Sequence, residues 1–92
     1  MIRHERAGHK GAFVWEQDGK RLAEMTYSTA GSRVIIDHTR VDDVLRGKGA
    51  GAQLVRAAVE WARAENVKLL PLCPFARSVF DQTPAYADVL VR

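Results

Sequence analysis

The sequence has a single cysteine, three prolines and no long hydrophobic run. One cysteine cannot close an internal disulfide, which agrees with a reducing compartment. No apolar stretch approaches the roughly 20 residues that a membrane-spanning helix requires. The first residues, MIRHER, are polar and lack the apolar core of a secretory signal. We therefore expect a cytoplasmic protein that does not span a membrane.

The length of the chain indicates how many domains it forms, and its charge indicates what kind of ligand it favours. A chain of 92 residues fits one small domain with a single core, so we expect residues 1–92 to form one domain. Its 14 basic and 11 acidic residues give a net charge of +3, which favours an anionic ligand but is far from the dense basic stripe of a nucleic-acid-binding protein. His4 and His9 have no cysteine or carboxylate at metal-ligand spacing, so no metal site is predicted.

The first half of the chain predicts three antiparallel strands in a meander. They cover residues 11–17, 20–29 and 33–41. Asp18-Gly19, between the first two, is a strong signal for a tight hairpin turn. If no bulge intervenes in the third strand, alternation places His38 on the same face as Val34 and Ile36.

The second half predicts a helix, a strand and a second helix. Apolar residues recur at helical spacing from Gly51 to about Asn66. Residues 67–73 are nearly all apolar and suit a buried strand. Pro74 suits the first turn of a helix that reaches Gln82. The predicted fold class is therefore α+β: an antiparallel β-meander, a helix crossover to a parallel strand, and a second helix. The C-terminal tail is left unassigned.

The segment LRGKGAGAQLV, residues 45–55, falls between the third strand and the first helix. The first backbone amides of a helix are unpaired and its dipole is positive there. Glycines let an anion approach the backbone, and two cations add charge. The pattern predicts a pyrophosphate site, with a simple glycine turn and solvated cations as the alternative. The predicted site residues are Arg46, Gly47, Lys48, Gly49, Ala50 and Gly51.

Two other phosphate motifs fit this segment poorly. The nucleoside-triphosphate loop requires a different glycine spacing and a Ser or Thr after its lysine. The dinucleotide fingerprint matches Gly47, Gly49 and Ala52, but it needs an acidic residue about 20 positions later. The chain has LLPLC in that neighbourhood. A nicotinamide cofactor is therefore disfavoured.

The loop reads Arg-x-x-Gly-x-Gly, which resembles the coenzyme A pyrophosphate loop of the Gcn5-related N-acetyltransferases. The chain is most similar to short, single-domain members of this family, which share three motifs in order. Here these are His38-Thr39 with Val41, Arg46 to Gly51, and Pro71 with Cys73-Pro74-Phe75. The resemblance extends from the second strand to Tyr86.

The resemblance implies a function and a ligand. The ligand would be acetyl-coenzyme A, its pyrophosphate bound by the loop and its thioester next to the end of the third strand at Val41. The activity would be acetyl transfer to an amine of a small molecule or a polypeptide. No segment before the first predicted strand could form the paired helices that help cover the acceptor in larger relatives, so we expect an open acceptor site. Arg77, in the second helix, is a further candidate for contacting the phosphates.

Cys73 and His38 are the candidate catalytic residues. Cys73 immediately precedes a predicted helix, whose dipole would favour a thiolate. It could accept the acetyl group and pass it on. Direct attack by the amine is the usual route of larger relatives, and a buried structural cysteine is the remaining alternative. Histidine titrates near neutrality, which suits a base, and we expect His38 and Cys73 to face one acetyl-binding slot. Other candidate bases are Asp37, Asp42 and Asp43.

The sequence is also compatible with two other functions. The chain could bind coenzyme A, or act as an interaction module, without catalysis. It could also be a small nucleic-acid-binding domain, although it lacks interleaved aromatic and basic residues. The cations for that role would be Arg3, Arg6, Lys10 and Lys20.

Overall fold

A single mixed sheet of five strands forms the centre of the computed structural model, which describes residues 1–91. The strands are β1 (Ile2–Ala7), β2 (Lys10–Gln17), β3 (Lys20–Ala30), β4 (Arg33–Val41) and β5 (Lys68–Pro71). They lie side by side in chain order. The first four are antiparallel, and β5 runs parallel to β4. The predicted α+β class, with its meander and parallel crossover, is confirmed.

Two α-helices follow β4 and β5. They are α1 (Ala50–Glu65) and α2 (Pro74–Asp81). Gly49 immediately precedes α1 and Asn66 immediately follows it. Both residues have left-handed backbone conformations, which glycine and asparagine tolerate best. Pro74 opens α2, as predicted. Within residues 1–91, no helix is both long enough and apolar enough to cross a bilayer.

The core lies between the two helices and one face of the sheet. Along β3 the side chains of Ala23, Met25 and Tyr27 are at most 2% exposed, and they alternate with half-buried residues. Leu54 and Val55 of α1 are fully buried. The opposite sheet face, which no helix in the described residues covers, is called the open face below. Its residues include Glu5, Glu16, Glu24, Thr26 and Leu70.

The first strand is a feature that the sequence pattern misses. The predicted meander has three strands, whereas the structure has a fourth before them: β1 pairs with β2 from Ile2, opposite Trp15, to Ala7, opposite Lys10. Polar residues occupy both faces of β1, so the usual alternation of apolar and polar residues is hidden. The arginine at position 3 is held on the open face by an ion pair with Glu16 at 2.9 Å.

A bulge interrupts β4. Tyr27 pairs with Ile36, whereas the preceding Thr26 pairs with His38, which leaves Asp37 as the extra residue. The bulge shifts the alternation that follows it. His38 is therefore opposite Thr26, on the open face, and its side chain is exposed.

The shift changes which β4 residues face the helices. Thr39 pairs with Met25 of the buried face and so continues the row of Val34 and Ile36. The expectation that His38 belongs to this row is wrong, because it depended on an unbulged strand.

β4 and β5 separate immediately after a short parallel pairing. Their ladder ends at Ile36 opposite Pro71. The Ile36 carbonyl then accepts hydrogen bonds from the amides of both Leu72 (2.9 Å) and Cys73 (3.2 Å). Beyond this point the chain turns into α2, so β4 and β5 no longer pair.

His4 is expected to make the stability of the fold depend on pH. Its ring stacks on Phe13, with centroids 4.2 Å apart, and hydrogen-bonds the Tyr27 hydroxyl. Desolvation by burial, and then the charge of Arg6, hold the pKa of His4 below its usual 6.5. Position 4 therefore binds a proton more readily in the unfolded chain than in the folded one. The contribution of His4 to the free energy of unfolding is present above the unfolded pKa and is lost as the pH falls from there through the folded pKa. We expect the free energy of unfolding to fall between about pH 7 and about pH 5.

Urea unfolding of the His4→Gln variant at several pH values measures this effect. The variant should lose part of the pH dependence in that window, whereas His9→Gln, which changes a histidine in the neighbouring turn, should keep it. Equal pH profiles for the wild type and the His4→Gln variant would contradict the assignment.

Candidate functional site

A cleft of about 590 Å³ lies between the end of β4, the glycine loop and α2. This volume is within the range of small-molecule binding sites. Thr39 and Val41 line it from β4, and Leu45 lines it from the short 3-10 segment Asp43–Leu45 that follows the strand. The glycine loop and the first turn of α1 form the next wall. The cleft therefore lies at the glycine loop, where the sequence predicts an anion site.

The first turn of α1 presents its backbone to this cleft. The amides of Ala50, Gly51 and Ala52 precede the first intrahelical bond, in which Gln53 donates to the Gly49 carbonyl. All three residues line the cleft. The residue before the helix is Gly49, so within the described residues no N-cap side chain accepts a hydrogen bond from these amides. The cleft therefore has free N–H donors at the positive end of a helix of 16 residues.

Gly47 and Gly49 keep the loop free of side chains. Their φ angles are +79° and +70°, a region that other L-residues rarely adopt. No protein atom lies within 4 Å of a Cβ built on either residue. A side chain there would strain the backbone and intrude on open space at the cleft. Both observations agree with a loop shaped for close approach of a ligand.

Gly51 has a different reason to be glycine. A Cβ at this position would lie 2.5 Å from Cζ of Phe75, so the missing side chain lets α1 and α2 approach each other. Phe75 also lines the cleft and is 41% exposed. Gly51 therefore has a role in helix packing, and its role in ligand approach stays a prediction.

The predicted cations are placed unequally. Arg46 lines the cleft, and its guanidinium pairs with Asp43 at 2.8 Å while both side chains are more than 80% exposed. Such a surface pair is weak, about 1 kcal/mol at most, so the Arg46 side chain can turn to a ligand. Lys48 is exposed and does not line the cleft. Arg77 borders a separate depression of about 160 Å³ beside Leu90. Arg77 does not line the cleft, and its contact with the phosphates stays a prediction.

Cys73 lies just behind the cleft wall. Its side chain is 6% exposed, and its thiol donates a hydrogen bond to the Thr39 hydroxyl at 3.2 Å. Thr39, on the cleft side, thus occupies the place that the sequence assigned to His38. Because of the bulge, His38 is on the opposite face of β4, and the predicted slot shared by His38 and Cys73 is not formed.

The three candidate aspartates occupy three different environments. Asp42 caps the 3-10 segment by accepting a bond from the Val44 amide at 3.0 Å. Asp43 holds Arg46. Asp37 is exposed on the open face and accepts a hydrogen bond from the Thr26 hydroxyl.

One wall of the cleft was not anticipated from sequence. It is built by α2 through Phe75, Ser78, Val79 and Gln82. These residues have the i, i+3, i+4, i+7 spacing of one helix face. That spacing could have identified them, and it also explains why Arg77 points elsewhere.

The nucleic-acid alternative loses support from the structure. Arg3 forms ion pairs with Glu5 and Glu16, and Arg6 stacks over the ring of Trp61 at 5.5 Å. Two of its four proposed cations are therefore engaged within the fold.

Comparison with known proteins identifies the fold and the family. The family model for GCN5-related N-acetyl-transferases matches residues 12–89. A GCN5-like protein from Staphylococcus aureus, solved by NMR, is 33% identical, covers 97% of this chain and 87% of its own, and superposes with a TM-score of 0.73. No curated protein matches the sequence.

Two more distant enzymes share the fold. The ribosomal-protein-S18-alanine N-acetyltransferase of Escherichia coli has a TM-score of 0.71 at 16% identity, over 84% of this chain and 53% of that enzyme. Aminoglycoside N-acetyltransferase AAC(6')-Iy, in complex with CoA, has a TM-score of 0.61 at 16% identity, over 83% of this chain and 67% of its own. The family match, which covers most of the chain, and the fold of these neighbours lead to one conclusion: the chain belongs to the GCN5-related N-acetyltransferase family.

Proposed function

We propose that the protein binds acetyl-coenzyme A in the cleft and transfers the acetyl group to an amine. The observation that carries this proposal is the set of free first-turn amides, at Ala50, Gly51 and Ala52, which line the cleft beside a bare glycine loop. A structural neighbour, AAC(6')-Iy, is in complex with CoA. Amides at a helix N-terminus are suited to a pyrophosphate.

The remaining cleft residues fit the other parts of this substrate. Arg46 would exchange Asp43 for a phosphate oxygen, since its present ion pair is exposed and weak. Val41 and Phe75 offer apolar surface along the cleft, suited to the uncharged arm of the coenzyme. Thr39 lines the cleft and accepts a hydrogen bond from the Cys73 thiol, so this thiol is close to the cleft.

Cys73 is the proposed acetyl carrier. Its sulfur would attack the thioester carbonyl, the bond from that carbon to the coenzyme sulfur would break, and the coenzyme thiolate would take the proton released by the Cys73 thiol. The amine would then attack the acetylated cysteine and free the sulfur. The position of Cys73 at the start of α2 and its contact with Thr39 support this route.

Intact mass measurement after incubation with acetyl-coenzyme A tests the carrier. The wild type should gain the mass of one acetyl group, and the Cys73→Ala variant should not. Ser78→Ala, which changes a polar residue of the same cleft, should keep the gain. Full transfer to an amine by the Cys73→Ala variant would show that the amine attacks the coenzyme thioester directly.

A colorimetric assay for released coenzyme A thiol separates catalysis from binding. We expect amines to accelerate thiol release by the wild type. Saturable binding without release by any amine would leave a coenzyme A-binding module instead of an enzyme.

A further inference from the structure

The two edges of the sheet differ in what lies beside them. Next to β5, the amide of Val91 donates to the Leu69 carbonyl at 2.9 Å, and Leu69 and Leu90 form a parallel bridge. On the outer side of β1, no further strand of residues 1–91 is present. The pairing of β1 with β2 also lacks the register shifts that interrupt the other antiparallel pairs. An uncovered, regular edge strand is a template for pairing with another strand.

The backbone groups of β1 divide into an inner set and an outer set. The Glu16 amide donates to the Met1 carbonyl at 2.8 Å, and the Met1 amino group donates to the Glu16 carbonyl at 3.3 Å. Hydrogen-bonded and non-hydrogen-bonded pairs alternate in an antiparallel ladder, so Arg3 and Glu5 also bond β2. The outer set has its amides and carbonyls directed away from β2 and consists of Ile2, His4 and Arg6.

An antiparallel second copy of β1 can bond this outer set in several registers. One of them, called the central register below, places His4 opposite His4 of the second copy and Ile2 opposite Arg6. All three outer residues of each chain are then paired, and each pair exchanges two hydrogen bonds. Sliding one strand by two residues in either direction leaves two outer residues of each chain paired within β1. The central register therefore forms the most main-chain hydrogen bonds.

The charges of β1 on the open face favour the same register. In the central register Arg3 lies opposite Glu5 of the second copy, and Glu5 lies opposite Arg3. These are non-hydrogen-bonded pairs, in which the side chains are closest. A slide by two residues would place Arg3 opposite Arg3 in one direction and Glu5 opposite Glu5 in the other, and like charges in such pairs are unfavourable. The present ion pair leaves 49% of the Arg3 side chain and 30% of the Glu5 side chain exposed, so both are accessible to a second copy.

The side chains on the other face of β1 are compatible with this pairing. His4 stacks on Phe13 of its own chain, and the guanidinium of Arg6 lies over the ring of Trp61. Both side chains are therefore directed to partners within the chain. Desolvation by burial, and then the charge of Arg6, hold the pKa of His4 below 6.5. The two facing imidazoles are therefore mostly uncharged at neutral pH and do not repel each other.

We propose that the protein forms a two-fold symmetric dimer in which the β1 strands of two copies pair antiparallel in the central register. The two sheets of five strands join into one continuous sheet. Such a contact uses the same surface of both copies, so it closes at two chains and leaves no free β1 edge. The inference is independent of the proposed function, because the residues that line the cleft all follow β3 in the chain.

Sedimentation equilibrium at protein concentrations up to about 1 mM measures this dimer. We expect the wild type to shift with concentration from the mass of one chain to twice that mass. Arg3→Glu and Glu5→Arg each place two like-charge pairs across the edge, so each should raise the dissociation constant of the dimer at least about tenfold.

An equimolar mixture of these two variants tests the register. In the heterodimer, Glu at position 3 and Glu5 of the Arg3→Glu chain lie opposite Arg at position 5 and Arg3 of the Glu5→Arg chain. The mixture should therefore dimerise at least about tenfold more tightly than either variant alone. Each variant keeps its own changes within the chain when it is mixed, so recovery can come only from contacts between chains. A mixture that dimerises no better than the separate variants would contradict the central register.

A proline at position 6 tests the main-chain bonds. Arg6→Pro removes an outer amide and leaves the bonds to β2, because proline is tolerated on an edge strand where its N–H would face solvent. Arg6→Ala is the matched control, since it loses the same contact with Trp61 and keeps the amide. The dissociation constant should be at least about tenfold higher for Arg6→Pro than for Arg6→Ala. Equal constants would contradict strand pairing at this edge.

Amide hydrogen exchange of the wild type tests the same edge without a variant. Dilution should speed exchange at His4 and Arg6, whose amides are bonded only in the dimer. It should leave exchange at Arg3 and Glu5 unchanged, because these amides bond β2 in either state. A wild type that sediments as a single chain up to about 1 mM, or outer amides whose exchange does not respond to dilution, would overturn the proposed dimer.

Discussion

Replacing Gly11 by alanine is expected to destabilise the fold by about 3 kcal/mol, the upper part of the usual range for overpacking. A Cβ at this position would overlap Cζ and Oη of Tyr27 and lie 2.8 Å from the Glu5 carbonyl oxygen. Neither neighbour can yield easily. Tyr27 is 2% exposed and hydrogen-bonded to His4, and the Glu5 carbonyl belongs to the β1 backbone. A small domain has about 5–15 kcal/mol of stability in total, so the loss would be large.

Urea unfolding followed by circular dichroism measures this loss. Gly8→Ala is the matched control, because Gly8 lies in the same hairpin with a φ of +65° and no atom within 4 Å of a built Cβ. Only backbone strain, about 1–2 kcal/mol, should appear in that control. A Gly11→Ala variant no less stable than Gly8→Ala would contradict the packing of Tyr27 against β1 and β2.

Replacing Gly49 by valine is expected to weaken acetyl-coenzyme A binding by at least about tenfold. The φ of +70° at Gly49 is unfavourable for a β-branched residue, so the start of α1 and its free amides would shift. The new side chain would also point into space that no protein atom occupies. Both effects act on the part of the cleft that carries the proposed pyrophosphate contacts.

Gly31→Val separates loss of the site from general strain. Gly31 has a φ of +63° and open space around a built Cβ, but it lies in the turn between β3 and β4. Both variants should lose similar stability in urea, and only Gly49→Val should lose affinity in calorimetry. Equal affinities for the two variants would show that the glycine loop does not contact the ligand.

Local signals predicted most of the fold. The Asp18-Gly19 turn fixes the hairpin, and β2 and β3 differ from their predicted limits by one residue. The change from alternating to helical spacing located α1 to within a residue of its start. β1 was missed because Arg3 and Glu5 are stabilised by partners on other strands, and such partners are not visible in a short window of sequence.

The candidate site was predicted in part. The glycine loop, Val41 and Arg46 line the cleft as expected. The relation between His38 and Cys73 could not be derived, because the bulge at Asp37 depends on how β4 pairs with β3 and shifts the alternation that follows it. That Arg77 lies outside the cleft lining could not be derived either, because the orientation of α2 around its axis follows from packing, with Phe80 buried and Phe75 against Gly51.

Calorimetric titration of the wild type with acetyl-coenzyme A, with NAD as a parallel titrant, shows whether the cleft binds the proposed coenzyme. We expect saturable binding of acetyl-coenzyme A and no binding of NAD. Absence of acetyl-coenzyme A binding, or equal binding of NAD, would contradict the proposed function and reduce the glycine loop to a turn.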